Sequence, residues 1–397
     1  MRPAVVRLKA GREKSLQRRH PWVFSGAIAS ISGEVLPGDT ARLEAADGHF
    51  LAWAGCSPVS QIYARVWSFD EHDAIDARFI SGRVAAAIAD RDRRLGARPP
   101  GHARRLLNAE ADGMPGLIVD AYGPLAVMQC SSAAADRWRE TVADSLLAGG
   151  FESVYERSDA EVRELEGLPG RCGPLRGHLP PQPMEVVESA VRLLVDVVRG
   201  HKTGMYLDQA VNRATAADCA SGRRVLNCFA YTGGFSLACL AGGADHVLSI
   251  ESAADAVALA RLAEERNGVA PARSSWVTGD VFEELRKLRD ARQRFDMVVL
   301  DPPKFAPTQG HVERASRAYK DINLLALKLL APGGLLATFS CSGAVDAGLF
   351  RRIVAGAAED AGADVAVRAR LGPAPDHTVR LAFPEGDYLK GLLLERL

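Results

Sequence analysis

A chain of 397 residues is longer than one ordinary hydrophobic core can organise, so two or three domains are expected. Charged residues make up 25% and hydrophobic residues 47%, a globular composition rather than a disordered or fibrous one. Lys plus Arg equals Asp plus Glu, at 49 each, so net charge names no partner and only its distribution informs. No apolar stretch is long enough to span a bilayer and the N-terminus has no apolar leader, so a cytoplasmic protein with no membrane partner is expected. The seven cysteines form no CxxC pair and no His/Cys cluster, which speaks for reduced thiols and no metal.

In chain order, the first twenty residues carry Arg2, Arg7, Lys9, Arg12, Lys14, Arg18 and Arg19 against a single Glu13. Such a run suits phosphate if it folds onto one face, and otherwise is a solvated surface. His20-Pro21-Trp22-Val23-Phe24 adds aromatics beside it. Short alternating runs at 41–44 and 62–66, separated by Pro37-Gly38-Asp39 and Asp47-Gly48 turns, predict a small closed β-barrel over residues 1–70. Residues 71–190 read as a mixed α/β domain. Helical patterns run from Asp76 to Leu95 and from Ala133 to Leu147, and Tyr122-Gly123-Pro124 turns a hairpin between them. The Gly- and Pro-rich stretch 168–183 reads as a loop, and 185–198 as another hairpin.

From about residue 191 the pattern becomes strands alternating with helices. Strands are predicted at 224–227, 247–250, 276–278, 295–300, 335–339, 365–369 and 389–394. This is a doubly wound α/β sheet, with the last strand returning antiparallel. Ligands bind beyond the carboxyl ends of such strands. The first strand runs into Phe229-Ala230-Tyr231-Thr232-Gly233-Gly234, which is not the GxGxxG pyrophosphate fingerprint. Glu251 ends the second strand, where an acidic side chain accepts bonds from ribose hydroxyls. Gly279-Asp280 ends the third, where it can meet an adenine amino group. Together these features suit S-adenosylmethionine, with Phe229, Tyr231, Thr232, Gly233, Glu251, Asp280 and Asp301 as candidate contacts.

Two runs carry the chemistry: Asp301-Pro302-Pro303-Lys304 after the fourth strand and Ser340-Cys341-Ser342 after the fifth. Carbon 5 of a pyrimidine is not nucleophilic until a thiolate adds to carbon 6 and makes it enamine-like. Cys341 is placed for that role, with nearby backbone N–H groups expected to lower its pKa. Asp301 is placed to stabilise or protonate N3, and Phe305 to stack on a base. The other six cysteines read as buried small hydrophobes. Arg12, Lys14, Arg18, Arg19, Trp22, Lys304 and Phe305 are the candidate RNA contacts, the base leaving its stack to reach the thiol.

Several stretches carry a resemblance: 201–209 (HKTGMYLDQ), 226–235 (LNCFAYTGGF), 301–305 (DPPKF), 319–323 (YKDIN), 339–343 (FSCSG) and 384–391 (PEGDYLKG). Across nearly its whole length the chain resembles the bacterial large-subunit ribosomal-RNA methyltransferase I family, which makes 5-methylcytosine in 23S RNA. The resemblance implies an N-terminal PUA domain for RNA, a central α/β domain and a C-terminal class I methyltransferase domain. It also implies Cys341 as nucleophile, Asp208 and Gln209 near the cofactor, and 23S ribosomal RNA or its precursor as partner, with a homodimer left open. Related RNA cytosine-5 enzymes carry a second cysteine where this chain has Pro303. The C5 proton then falls to Lys304, Asp301 or His377, the last reading better as a satisfied loop histidine. The rival readings are a non-covalent base methyltransferase of the guanine-N7 type, which needs no Cys341, and a non-catalytic RNA-binding assembly factor. A small-molecule methyltransferase would leave the basic, aromatic first segment without a use.

Overall fold

The computed structural model describes residues 3–306 and 308–397, so Arg2 of the basic run lies outside the described residues. The chain divides into two compact units. One comprises the residues up to Val186 with Val195–Leu207 and Pro375–Gly386; the other comprises Val187–Leu194, Asp208–Ala374 and Asp387–Leu397.

The first unit opens with β1 (Val5–Leu8), α1 (Lys14–Gln17), β2 (Trp22–Phe24), β3 (Ile28–Ser32), β4 (Thr40–Glu44), β5 (Phe50–Cys56) and β6 (Ile62–Ser68). The six strands form one sheet in the order β2-β6-β5-β4-β1-β3. Its two end strands are consecutive in the chain, separated only by the turn Ser25–Ala27. That short link draws the ends together into the small barrel the alternation predicts, around Val6, Leu8, Leu43, Ala54 and Val66.

Next come α2 (Ala77–Leu95), β7 (Ala103–Asn108), β8 (Leu117–Tyr122), β9 (Leu125–Cys130), α3 (Ala133–Arg137), α4 (Arg139–Ala148), β10 (Ser153–Ser158) and β11 (Arg171–Arg176). Asp76 caps α2 by accepting the Phe79 N–H at 2.9 Å. Ile80, Val84, Ala87 and Arg91, spaced at helical period, form its buried stripe. The five strands are ordered β11-β10-β9-β8-β7. Two expectations need correction. The helix over 133–147 is broken at Trp138, whose N–H bonds the Ala135 carbonyl in a tightened turn. The stretch 168–183 is not all loop, because β11 pairs antiparallel with β10. As the edge strand, β11 tolerates Gly173 and Pro174, the residues that read as loop. The hairpin read from sequence at 185–198 is β12 (Met184–Glu188) with β13 (Val191–Val195).

The second unit contains α5 (Ala210–Asp218), β14 (Arg224–Cys228), α6 (Gly234–Ala241), β15 (His246–Glu251), α7 (Ala254–Arg266), β16 (Ser274–Thr278), α8 (Val281–Asp290) and β17 (Phe295–Leu300). It continues with α9 (Val312–Leu329), β18 (Leu330–Ser340), α10 (Ala347–Ala361), β19 (Val365–Leu371) and β20 (Lys390–Arg396). The sheet order is β16-β15-β14-β17-β18-β20-β19; β20 runs antiparallel to both β18 and β19, and the other pairings are parallel. Strand residues alternate between two cores. Leu226, Val298, Leu300 and Leu336 face Leu285, Ile322 and Phe350, whereas Val225, Met297, Val299 and Phe339 face Ala216, Phe235 and Leu240. Burial on both faces explains why these strands read as unbroken apolar runs. The order reverses between β14 and β17, so the crevice beyond their carboxyl ends is the ligand position of such a sheet. Among the described residues no helix is long and apolar enough to cross a membrane.

In the first unit, buried Glu166 accepts from Arg65 (2.8 and 3.0 Å), Ser57 Oγ (2.5 Å) and the Ala133 N–H (3.2 Å). Arg65→Met strands that carboxylate and is expected to destabilise the unit by about 3–5 kcal/mol. Urea denaturation read by tryptophan fluorescence checks this, since four of the five tryptophans, Trp22, Trp53, Trp67 and Trp138, lie in the first unit.

Candidate active site

The segment after β14 is held in an unusual conformation. Phe229 and Tyr231 both have positive φ, +58° and +48°, in the left-handed region that bulky side chains avoid. The surroundings enforce it: the Ala230 N–H bonds the Ile250 carbonyl at 3.0 Å and the Tyr231 N–H bonds Glu251 Oε2 at 2.8 Å. Gly233, at φ +81°, caps α6, and a Cβ there would press on the Trp276 ring at 3.3 Å and Ala260 at 3.2 Å. Strained backbone of this kind concentrates at ligand sites. Glu251 also accepts the Ala253 N–H through Oε1 at 2.9 Å, which fixes the carboxylate at the end of β15. Asp280, at the end of β16, is exposed and caps α8 through the Glu283 N–H. The acceptors at these adjacent strand ends are carboxylates, which suit the hydroxyl and amino donors of a nucleoside.

Beyond β17, Asp301 is partly buried. Gln209 Nε2 donates to its Oδ1 at 2.8 Å, while Gln209 Oε1 accepts from Asn212 Nδ2 at 2.6 Å. Asn212 in turn donates to the Gly372 carbonyl at 2.9 Å, so the orientation of the Gln209 amide is dictated by its neighbours. Asp208 accepts from Tyr388 Oη at 2.7 Å. Burial, reinforced by the charge of Asp208, raises the Asp301 carboxyl to about 7 against the opposing Gln209 bond and Arg213 charge. At neutral pH it therefore exists both as an acid and as a carboxylate. The HKTGMYLDQ run carried Gln209 by resemblance, and Tyr388 falls in the PEGDYLKG run without being singled out; Asn212 had no sequence signal.

Beyond β18, the Cys341 thiol lies 3.9 Å from the Pro302 carbonyl oxygen, against the Asp301-Pro302 run. Its loop is tied down on both sides. Ser342 Oγ accepts the Ala306 N–H at 3.0 Å and lies 3.0 Å from Tyr319 Oη. Lys390 donates to the carbonyls of Ser342 (2.8 Å) and Val345 (2.6 Å). Lys390 and Tyr319 fall in the YLKG and YKDIN runs, but no sequence pattern revealed that they hold this loop. The expected depression of the thiol pKa is not found. Burial, then the charges of Asp301 and Asp208, push Cys341 up to about 11, outweighing its backbone hydrogen bond and Lys304. The helix that follows, α10, begins only after its Asp346 cap, five residues beyond the thiol.

The remaining candidates are distributed as follows. Arg12, Lys14, Arg18 and Arg19 are exposed around α1, with Arg19 over the Phe69 ring at 4.7 Å. Trp22 is half-buried and its indole N–H donates to Glu110 at 2.9 Å. Lys304 is exposed. Phe305 does not stand free: it packs on Tyr319, Phe282 and Phe229 with ring centroids 4.8, 6.0 and 6.4 Å away. Thr232 lies between Tyr231 and Gly233 on the strained turn. His377 is buried with Nδ1 2.8 Å from Asp376 Oδ1, a satisfied loop histidine. Cys56, Cys130, Cys228 and Cys239 are buried as expected, but Cys219 is only partly buried and Cys172 is exposed on edge strand β11.

Fold and site define an S-adenosylmethionine-dependent methyltransferase carrying a PUA-like domain. Residues 170–374 match the S-adenosylmethionine-dependent methyltransferase family and residues 6–69 match the PUA-like domain family. The chain is 47% identical over 391 residues to the ribosomal RNA large subunit methyltransferase I of Shewanella amazonensis, covering 98% of both chains. It is 45% identical over 390 residues to the protein of the same name from Aeromonas salmonicida, again covering 98% of both. This chain belongs to the ribosomal RNA large subunit methyltransferase I family. Among solved structures, a protein described as a SAM-dependent methyltransferase from Streptococcus mutans superposes with a TM-score of 0.83 at 21% identity, covering 98% of this chain and 99% of that one. A methyltransferase solved in complex with SAH superposes with a TM-score of 0.84 at 22% identity over the full length of both. These two show the shared fold.

Removing the charge of Asp301 should ease ionisation of the thiol beside it. In Asp301→Asn the midpoint of iodoacetamide alkylation of Cys341 against pH is expected to fall below about 11, yet to stay above the ordinary 9 because burial and Asp208 remain. An unchanged midpoint would show that the two groups are not coupled.

Proposed function

We propose that this protein methylates carbon 5 of a cytosine in 23S ribosomal RNA, with Cys341 as nucleophile. The observation that carries the reading is the convergence at neighbouring strand ends of the Cys341 thiol, against the Pro302 carbonyl, and the Asp301 carboxyl, whose charge helps to raise the thiol. The ribosomal RNA named for the relatives supplies the substrate class. Phe229, Tyr231, Thr232, Gly233, Glu251, Asp280, Gln209 and Asp301 are the residues that would hold S-adenosylmethionine. When bound, that group supplies an electrophilic methyl.

The residues of the chain account for the rest. A thiol near 11 must lose its proton as it attacks, and a carboxylate near 7 is a better base than an ordinary one. The Cys341 sulfur forms a bond to C6 while its proton passes to Asp301 and from there to N3 of the base. Electron density then builds on C5, which accepts the methyl. A base removes the C5 proton, the C5–C6 double bond re-forms as the Sγ–C6 bond breaks, and the N3 proton returns through Asp301 to the departing sulfur. Gln209 keeps Asp301 oriented throughout, and Ser342 and Lys390 keep the nucleophile's loop fixed. The barrel, with Arg12, Lys14, Arg18, Arg19 and Trp22, is proposed to hold RNA, and exposed Lys304 to meet it near the target base, with Phe305 packed behind it on Tyr319.

Cys341→Ser is expected to lower turnover by a factor of about 10⁴ or more. Native protein incubated with S-adenosylmethionine and 5-fluorocytosine-containing 23S RNA should form a denaturation-resistant adduct, because after methyl transfer fluorine cannot leave as a proton. Labelled methyl should appear in 5-methylcytidine on nucleoside mass analysis. Full activity in the serine variant, or label on guanine, would establish non-covalent chemistry instead.

A further inference from the structure

The first unit presents a surface that the reaction chemistry does not use. Its segment Pro375–Gly386 is pinned in place: Asp376 Oδ2 accepts the Arg105 N–H at 2.8 Å and the Thr378 carbonyl accepts Asn108 Nδ2 at 3.0 Å. The Phe383 N–H bonds the Arg380 carbonyl at 2.9 Å, closing a turn with Leu381 at its tip. Leu381 is fully exposed. Phe383 folds inward and packs on Trp22 at 4.9 Å, and Trp22 meets Phe24, half exposed, at 6.4 Å.

Two arginines crowd the same face. An atom one bond out from the Gly113 Cα would lie 2.9 Å from Arg83 Nη1 and 3.9 Å from Arg380 Nη2. Neighbouring carboxylates are already engaged: Glu110 by Trp22, Asp112 by Arg91, Asp376 by His377, and Glu385 by His20. Arg83 lies over the Phe79 ring at 4.8 Å. Among the described residues neither guanidinium has a hydrogen-bond partner. Burial and the charge of Arg380 lower the pKa of Arg83, with Asp73 opposing. Asp73 balances part of the Arg83 charge, but the two guanidiniums, neither of them hydrogen-bonded among the described residues, still offer donors for a phosphate at one spot. Rigid apolar groups next to it offer faces for unstacked bases.

We infer that the turn Arg380–Phe383, with Arg83 and Phe24, is a second contact for the RNA substrate, seating a backbone phosphate on the two arginines and an unstacked base against Leu381 and Phe24. The inference rests on the reading of the chain as an RNA methyltransferase. The occupant is RNA because cationic donors and apolar stacking faces occur side by side, and a purely apolar partner would leave the paired charges unsatisfied. The segment belongs to the C-terminal third of the sequence, so the RNA-holding surface of the first unit is built from both ends of the chain.

The test is equilibrium binding of an unmodified 23S RNA transcript across a salt series, with calorimetric S-adenosylmethionine affinity as the check on folding. The Arg83→Ala/Arg380→Ala double variant is expected to bind RNA roughly ten-fold more weakly and to lose about two from the slope of log affinity against log salt. Leu381→Ala should weaken binding several-fold and leave that slope alone, since it removes no charge. Both variants should keep wild-type cofactor affinity, and in turnover assays the KM for RNA should rise with kcat retained. RNA affinity and salt slope identical to wild type in the double variant would overturn this contact while leaving the proposed activity standing. A wild-type protein that methylates no RNA would instead overturn the functional reading.

Discussion

The electrostatic balance at the switch point of the second unit turns on one carboxyl group. Asp301 is partly buried beside Asp208, and taking two carboxylates out of water together disfavours ionising both. Gln209 and Arg213 oppose this, so Asp301 settles near 7 rather than rising further. The same negative charges reach Cys341 and hold its thiol near 11. Neither value belongs to its residue alone. A proton taken up by Asp301 lowers the cost of the thiolate, and a thiolate raises the cost of ionising Asp301. In the proposed chemistry the proton would leave the thiol against the difference between about 11 and about 7, so its transfer would have to be coupled to formation of the bond between sulfur and the ring.

That balance is useful only if the groups stay in register, and the fold supplies this from three strand ends. Pro302 and Pro303 restrict the chain just after β17, leaving the Pro302 carbonyl facing the thiol. Ser342 ties the loop after β18 to Ala306 and Tyr319, and Lys390 reaches over from β20 to hold two carbonyls of the same loop. The antiparallel return of β20 matters here, because it brings a cation from the chain's end to the carboxyl edge of β18. After β14, the cost of two left-handed aromatic residues, about 1–3 kcal/mol each, is offset by fixed bonds to Ile250 and Glu251.

Much of this was legible in the residues. Apolar runs buried on both faces announce themselves, so the strands ending at Cys228, Leu300 and Ser340 stood out, and with them the positions of Asp301 and Cys341. Edge strand β11 was hidden because its glycine and proline carry the signature of a loop and nothing local reveals its pairing. The helix break at Trp138 was hidden because the apolar period continues across it. The Cys341 pKa was misjudged for a related reason. Sequence shows the backbone amides that would lower it, but the depth of burial and the approach of Asp208, far away in the chain, are tertiary facts. The same holds for Lys390, whose role depends on β20 lying beside β18.

A thiol held near 11 has a further consequence for the proposed chemistry. Free thiolate at neutral pH is scarce, so Cys341 is protected from adventitious electrophiles and oxidants while no substrate is present. Reaction then requires a partner that accepts density as the sulfur attacks, and a pyrimidine whose N3 can take the proton from Asp301 is such a partner. Purine methylation at N7 needs no nucleophile and gains nothing from this coupling. Suppressing the thiolate in the free protein slows attack on everything; in the proposed chemistry a bound pyrimidine would recover the loss through proton transfer and orientation, and a stray electrophile would not. Under the proposed chemistry, the raised thiol pKa would thus favour the bound substrate over stray electrophiles.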